Sequence, residues 1–273
     1  ATGSAREAGL KVAYHWMLGL PGMDPARDEA DFVRLFDDPA YRPDMLKIYP
    51  TLVIPGTELF EQWKDGQYVP YDVDTAVDLL ARLKARLPRW VRIQRIQRDI
   101  PARLIAAGVR SGNLRELALQ RLKEQGLRCE CLRCREPGRR ANPDPGQLVP
   151  WETQYEAAGG TEWFLSLEDP ATGTVGGFLR LRIPREAPVV GPDGPVIREL
   201  KVLGAETAVG RPSAEGAFQH RGSGRALLAR AEEVARASGA RRLYVTSAVG
   251  TREYYRALGF ERAGTHFAKP LFS

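Results

Sequence analysis

The sequence predicts an α/β chain in two parts: parallel βα units over residues 1–125, and a mixed sheet built around a glycine turn and a helix over residues 151–273. Three observations carry this reading. Strand-like and helix-like runs alternate through the first half, the pattern of βα units and a parallel sheet. Gln219-His220-Arg221-Gly222-Ser223-Gly224 is a glycine turn that leads directly into the run Arg225 to Ser238, where Leu227, Leu228, Ala231, Val234 and Ala235 form one apolar stripe. Trp163 to Glu168 and Val175 to Ile183 flank Asp169-Pro-Ala-Thr-Gly173 as a hairpin. At 273 residues the chain exceeds the usual single-domain size. Residues 126–150, which hold the cysteines, are expected to link the two parts.

In chain order, Ser4 to Gly9 reads as the end of a helix whose strand is missing, so the first part is expected to be the C-terminal piece of a larger α/β domain. Lys11 to His15 reads as a short strand, followed by the loop Gly19 to Asp24. Asp28 to Phe36 follows as a helix with Phe32, Leu35 and Phe36 on one face. Asp44 to Tyr49 and Trp90 to Ile96 read as strands; Thr57 to Asp65, Val73 to Leu87 and Leu114 to Gln125 read as helices. About three βα units are visible, too few to close an eight-fold barrel. Asn142 to Pro150 and Pro184 to Pro195 are expected to be loops, and Tyr155 to Trp163 a flexible join. Val196 to Leu203 alternates apolar and polar residues as a strand does. Arg241 to Ser247 is a further strand. A short helix near Thr251 carries Tyr254 and Tyr255 and stops at Gly259. A final strand starts at Phe260.

Residues 82–140 hold 17 Lys+Arg and 5 Asp+Glu, a net charge of +12 in a chain of net +6. That asymmetry points to a polyanion, nucleic acid before membrane; the alternative is a solvated basic face on two helices. No apolar run reaches the ~18 residues of a membrane span, and no signal-peptide pattern opens the sequence. The three cysteines, an odd number close together, suit a reducing cytoplasm better than a disulfide framework. Cys129, Cys131 and Cys134 form C-x-C-x-x-C, able to converge on one tetrahedral ion, and zinc favours thiolates in such closed sites. Arg128, Arg133 and Arg135 are expected to lower the thiol pKa values. A fourth ligand is open among His15, His220, His266 and water, and three reduced thiols without metal are the alternative.

Glycines at positions 222 and 224 let the backbone approach a ligand closely. A helix N-terminus beyond them offers unblocked N–H groups and a positive dipole end, which suits a pyrophosphate. With the order of strands and helices around it, this turn resembles the acetyl-CoA signature Q/R-x-x-G-x-G/A of the GNAT acetyltransferases.

The resemblance then becomes more specific. His15-Trp-Met-Leu-Gly-Leu-Pro-Gly22, Leu46-Lys-Ile-Tyr-Pro-Thr-Leu-Val-Ile-Pro-Gly-Thr57, Arg98-Asp-Ile-Pro101 and Gly112-Asn-Leu-Arg-Glu-Leu-Ala118 resemble the radical-SAM half of the Elongator catalytic subunit. Arg198-Glu-Leu, Gln219-His-Arg-Gly and Gly250-Thr-Arg-Glu-Tyr-Tyr-Arg-Ala-Leu-Gly259 resemble its acetyltransferase half. The similarity runs from about residue 8 to the end. It implies a partial radical-SAM (βα) barrel joined to a GNAT domain whose sheet passes from antiparallel to parallel at its centre. The function it implies is acetylation of the tRNA wobble uridine with acetyl-CoA, the first step towards carboxymethyluridine.

It also implies a 4Fe-4S cluster and S-adenosylmethionine. No cysteine precedes Cys129, so the cluster ligands are expected to be missing from an N-terminally truncated chain that binds CoA and tRNA. By the same resemblance, Glu199, Leu200, Lys201 and Val202 lie along the acetyl and pantetheine arm. Gln219, Gly222, Ser223, Gly224 and Arg225 hold the pyrophosphate. Tyr255 stands near the thioester sulfur as general acid, with Tyr254 expected to pack into the core. Lys201 stands where the family more often has His, and Ser223 where it commonly has an aromatic residue. Zinc at the three cysteines is implied to join the two domains. Two other readings stay open: a GNAT-type N-acetyltransferase acting on protein lysine or a small amine, with Glu199 as its base, and a non-catalytic tRNA-binding scaffold. Monomer and homodimer are both open.

Overall fold

The structure is a computed structural model and describes residues 1–97, 100–204 and 222–272. It divides into two compact units: Ala13–Asp38 with Pro43–Cys134, and Ala1–Val12 with Pro39–Arg42 and Arg135–Ser273. The first twelve residues therefore fold with the C-terminal unit, where the sequence places them in the βα part.

The smaller unit is a three-stranded parallel sheet, β1 (Ala13–Leu18), β2 (Met45–Pro50) and β3 (Arg92–Ile96), in the order β1-β2-β3. Its helices are α2 (Pro25–Asp37), α3 (Glu58–Lys64), α4 (Val73–Ala85) and α5 (Leu114–Glu124), numbered after the N-terminal helix α1 (Thr2–Glu7). α2 starts where Asp24 accepts from the Ala26 and Arg27 amides and Pro25 occupies the first turn; Asp72 caps α4 through the Thr75 amide. Leu46, Ile48 and Ile93 from the strands pack with Phe32, Leu79, Leu80 and Leu83 from the helices in one buried cluster. A bulge shifts the β2–β3 register between Leu46 and Lys47, so Lys47 pairs with Arg95 while Leu46 pairs with Ile93. Ile93 and Ile96 are consequently both buried, while Arg92 is part-exposed and Arg95 exposed, although alternation alone would set these two on opposite faces.

α6 (Leu132–Arg135) leads into the larger unit, a seven-stranded sheet of β4 (Val149–Ala157), β5 (Gly160–Glu168), β6 (Val175–Pro184), β7 (Val196–Val202), β8 (Arg242–Val245), β9 (Glu261–Ala263) and β10 (His266–Pro270). The order is β4-β5-β6-β7-β8-β10-β9. All neighbours are antiparallel except β7 and β8. α7 (Ser223–Ala237) buries Leu227, Leu228, Ala231, Val234 and Ala235, the stripe read from the sequence, and α8 (Arg252–Arg256) follows β8.

Two expectations are corrected. The segment read as loop and flexible join forms β4 and a tight hairpin, with Ala158 (φ 47°) and Gly159 (φ 79°) as its two turn residues. Residues Val149 to Glu152 of β4 are exposed, so the strand lacks the apolar alternation that marks a half-buried one. The final strand is likewise a hairpin, β9–β10.

The N-terminal segment is fastened to this larger unit by a buried charge cluster. Glu162 on β5 receives Arg6 at 2.9 Å, Arg182 at 3.1 Å and Arg198 at 2.6 Å, with all four side chains at most 1% exposed. Arg198 also donates to the Leu10 carbonyl, and the Thr246 hydroxyl to that of Gly9. Gly160 leaves the room Arg182 needs, since a Cβ there would lie 2.8 Å from its Cζ.

Candidate cofactor site and metal centre

β7 pairs with β6 along its length, from Val196 to Val202, but with β8 only through Val196 and Ile197. The Thr246 amide closes the seam at the Ile197 carbonyl, 3.0 Å away. Glu199, Leu200, Lys201 and Val202 lie beyond this point, on a strand whose β8 side has no strand partner among the described residues. Backbone groups in that position can pair with an extended amide-bearing ligand as a further strand would.

Gly222 at φ +87° is the N-cap of α7. It gives no side-chain cap, and no acid stands in the first turn, so the amides of Ser223, Gly224 and Arg225 are those a helix start leaves open. A Cβ on Gly224 would lie 3.0 Å from the Tyr254 hydroxyl and 3.7 Å from Val202 Cγ2. The end of β7, the start of α7 and the helix α8 thus meet at one glycine. Gln219 lies outside the described residues, as do His220 and Arg221.

The two tyrosines are packed the opposite way from the expectation. Tyr255 is 5% exposed and belongs to the buried cluster with Leu227, Val245 and Phe260; its ring meets that of Phe260 edge-on at 5.6 Å. Burial pushes its phenol well above the usual range, followed by the neighbouring Tyr254. Tyr254 is 39% exposed and carries its hydroxyl to the glycine turn. Burial raises its pKa too, against an opposing pull from Arg225. Consecutive helical residues diverge by about 100°, so only one of the pair can face the core.

Glu199 does not present a free carboxylate. One oxygen accepts from Arg180 Nε at 3.0 Å and the other from Lys11 Nζ at 3.3 Å. Arg180 is itself 1% exposed and stacked on the rings of Phe164 and Phe178.

The Sγ atoms of Cys129, Cys131 and Cys134 all lie within 4.8 Å of one another, in the smaller unit. Cys131 is held well below the usual thiol range by hydrogen bonds from Cys129 and then Cys134, with the Lys84 charge adding to them. The cation beside these sulfurs is Lys84 of α4, 0% exposed, whose Nζ stands 3.6 Å from Cys134 Sγ. Two of the three arginines expected in that role are engaged elsewhere: Arg128 pairs with Glu130 at 2.7 Å and Arg135 with Glu168 at 2.8 Å. Of the histidines considered as fourth ligand, His15 meets the Tyr49 ring edge-on, His266 lies 3.2 Å from the Ala8 carbonyl, and His220 is outside the described residues. Lys84 was missed in the sequence, yet it left a signal. It lies four residues after Leu80 and seven after Val77, a charge on the apolar stripe of its helix.

The basic segment is partly neutralised. Arg82 and Arg86 share Glu29, Arg89 pairs with Glu130, and Arg121 pairs with Asp78 and Glu124. No described helix is long and apolar enough to cross a membrane.

The fold and its glycine turn define a GNAT acetyltransferase unit in continuous chain with a radical-SAM barrel piece. Residues 43–124 match the Radical_SAM C-terminal domain family and residues 127–260 the Acetyltransferase (GNAT) family. The chain is 43% identical to the tRNA uridine(34) acetyltransferase of Methanocaldococcus jannaschii over 99% of its own length and 52% of that protein's. It is 44% identical to Elongator complex protein 3 of Danio rerio, over 98% of its length and 50% of the relative's. It superposes with a TM-score of 0.90, at 43% identity, on the archaeal Methanocaldococcus infernus Elp3 with an N-terminal deletion, covering 98% of this chain and 65% of that one. The chain belongs to the Elongator protein 3 family. It spans about half the length of these curated relatives.

Proposed function

We propose that this chain carries the acetyl-CoA-binding part of a tRNA wobble-uridine acetyltransferase. The carrying observation is the meeting of Val202, Gly224 and Tyr254 at the uncapped start of α7, beside the open edge of β7. Glu199 to Val202 would pair with the pantetheine amides, and the Gly222–Arg225 amides with the pyrophosphate. Tyr255 would protonate the leaving thiolate, the role that the family resemblance gives it. Tyr254 would hydrogen-bond the cofactor at the turn. The uridine of tRNA would accept the acetyl group.

The amine-acetylating reading needs a carboxylate free to take a proton. Glu199 is clamped between Arg180 and Lys11, which disfavours it.

Zinc fits the cysteine centre. Tetrahedral coordination with Zn–S near 2.3 Å sets sulfurs about 3.8 Å apart, and three sulfurs mutually within 4.8 Å can contract to that. Such an ion would be structural, closing the segment after α5 on itself beside Lys84 of α4. A 4Fe-4S cluster open to S-adenosylmethionine does not fit. It would need three thiolates beyond those given to zinc, and all three cysteines of the chain stand in this one group.

The test is acetyl-CoA hydrolysis with and without tRNA. Stimulation by tRNA is the expected outcome. Activity on polyamines or peptides alone would favour the amine reading, and CoA binding without turnover the scaffold. Gly224→Asp places a side chain and a negative charge at the turn and should weaken CoA at least tenfold, about 1.4 kcal/mol. Unchanged affinity by calorimetry removes the turn from the site.

A further inference from the structure

We propose that Lys84 is the built-in counter-ion of the three-cysteine metal site, balancing its charge from outside the coordination sphere. The inference rests on the zinc reading above. Lys84 sits in the last turn of α4 and is wholly buried, with Nζ 3.6 Å from Cys134 Sγ. A buried ammonium is costly unless it is paired. Among the described residues its hydrogen-bond partner is that sulfur, and the charges acting on it are Cys129, Cys131 and Cys134 in its favour and Arg115 against.

The charges close around the ion. Three thiolates and a divalent metal carry a net charge of −1, which a low-dielectric interior disfavours as it does any unpaired ion. One ammonium against the sulfurs makes the assembly neutral. It also gives a thiolate a charge-assisted N–H···S contact, the kind of outer contact that orients metal ligands and tunes affinity. Of the arginines that the sequence motif offers for this role, Arg128 and Arg135 are paired with carboxylates, and the contact on Cys134 Sγ comes from Lys84. α4 delivers the charge from 45 residues before the first cysteine, at a position that the helix would otherwise fill with an aliphatic side chain.

The experiment uses the full chain and zinc itself, by competition with a chromophoric chelator, together with the absorption spectrum of the cobalt(II)-substituted protein. Lys84→Met keeps length and packing without charge; Lys84→Gln keeps an N–H donor without charge. Both should bind zinc at least tenfold more weakly than the parent. Both should leave the cobalt ligand-field bands unmoved, because no ligand has been removed. Zinc affinity within twofold of the parent overturns the inference. So does a shift of the cobalt bands in the variants, which would make the lysine a ligand. If neither neutral variant folds, Lys84→Arg decides: zinc binding within threefold of the parent upholds the charge role, and failure of this variant too overturns it. A parent chain that binds no zinc would instead remove the metal reading beneath the inference, an outcome distinct from any of these.

Discussion

Tyr254 and Tyr255 are neighbours on one short helix, yet one ring closes the core and the other reaches the glycine turn. That difference separates their expected effects. Tyr255→Phe keeps the ring against Phe260 and removes the hydroxyl. Turnover in the tRNA-stimulated assay should fall by about 10²-fold, the usual size of a general-acid contribution, with CoA affinity little changed. Tyr254→Phe should instead weaken CoA by about 3- to 10-fold, the loss of one hydrogen bond, with turnover at saturation nearly preserved. Rate constants and calorimetric affinities for the two variants check this; the reverse pattern would exchange the two assignments. Glycines and cysteines at this scale were legible from spacing alone. The tyrosine orientations were not, because a five-residue helix has too few positions to define an apolar face. Lys84 was missed for a different reason: a cation on an apolar stripe acquires meaning only once its three-dimensional partner is known.

At the scale of elements, α2, α4, α5 and α7 were readable because each carries a sustained stripe, and α2 and α4 begin at side-chain caps. β4 was not, being exposed over its first half and flanked by prolines. The bulge in β3 also escaped, since the register of one strand depends on its partner. The attachment of α1 to the seven-stranded sheet was invisible for the same reason. Its Arg6 is one of three guanidinium groups gathered on Glu162. Glu162→Gln removes the carboxylate on which Arg6, Arg182 and Arg198 converge and leaves excess buried positive charge there. The chain should lose about 3–5 kcal/mol of stability, measured by urea denaturation, and trypsin should gain access to Arg6. Unchanged stability would mean that the arginines find other acceptors.

Across the whole molecule, the net charge of +12 over residues 82–140 is the feature that bears on the proposed binding of tRNA. Several of its arginines are committed to carboxylates, so fewer are available than the raw count implies. Arg110 is exposed, and among the described residues it bonds a nearby carbonyl, that of Ala106. Arg110→Glu should weaken tRNA binding and reduce the slope of log affinity against log salt by about 1, with an unchanged circular dichroism spectrum. If Arg110→Glu and similar changes at Arg121 and Lys123 all leave tRNA binding intact, the basic run is a solvated face.

The fastening of the first residues to the seven-stranded sheet also has a consequence for biosynthesis. Leu10 and Arg198 are hydrogen-bonded across 188 positions, and Ala8 and His266 across 258. During translation at about 5–20 residues per second, α1 emerges many seconds before the strands that receive it. The whole three-stranded unit is made in the interval. The host unit cannot close until almost the last strand is released. Until then α1, with Arg6 awaiting its acid, is without the strands it packs against.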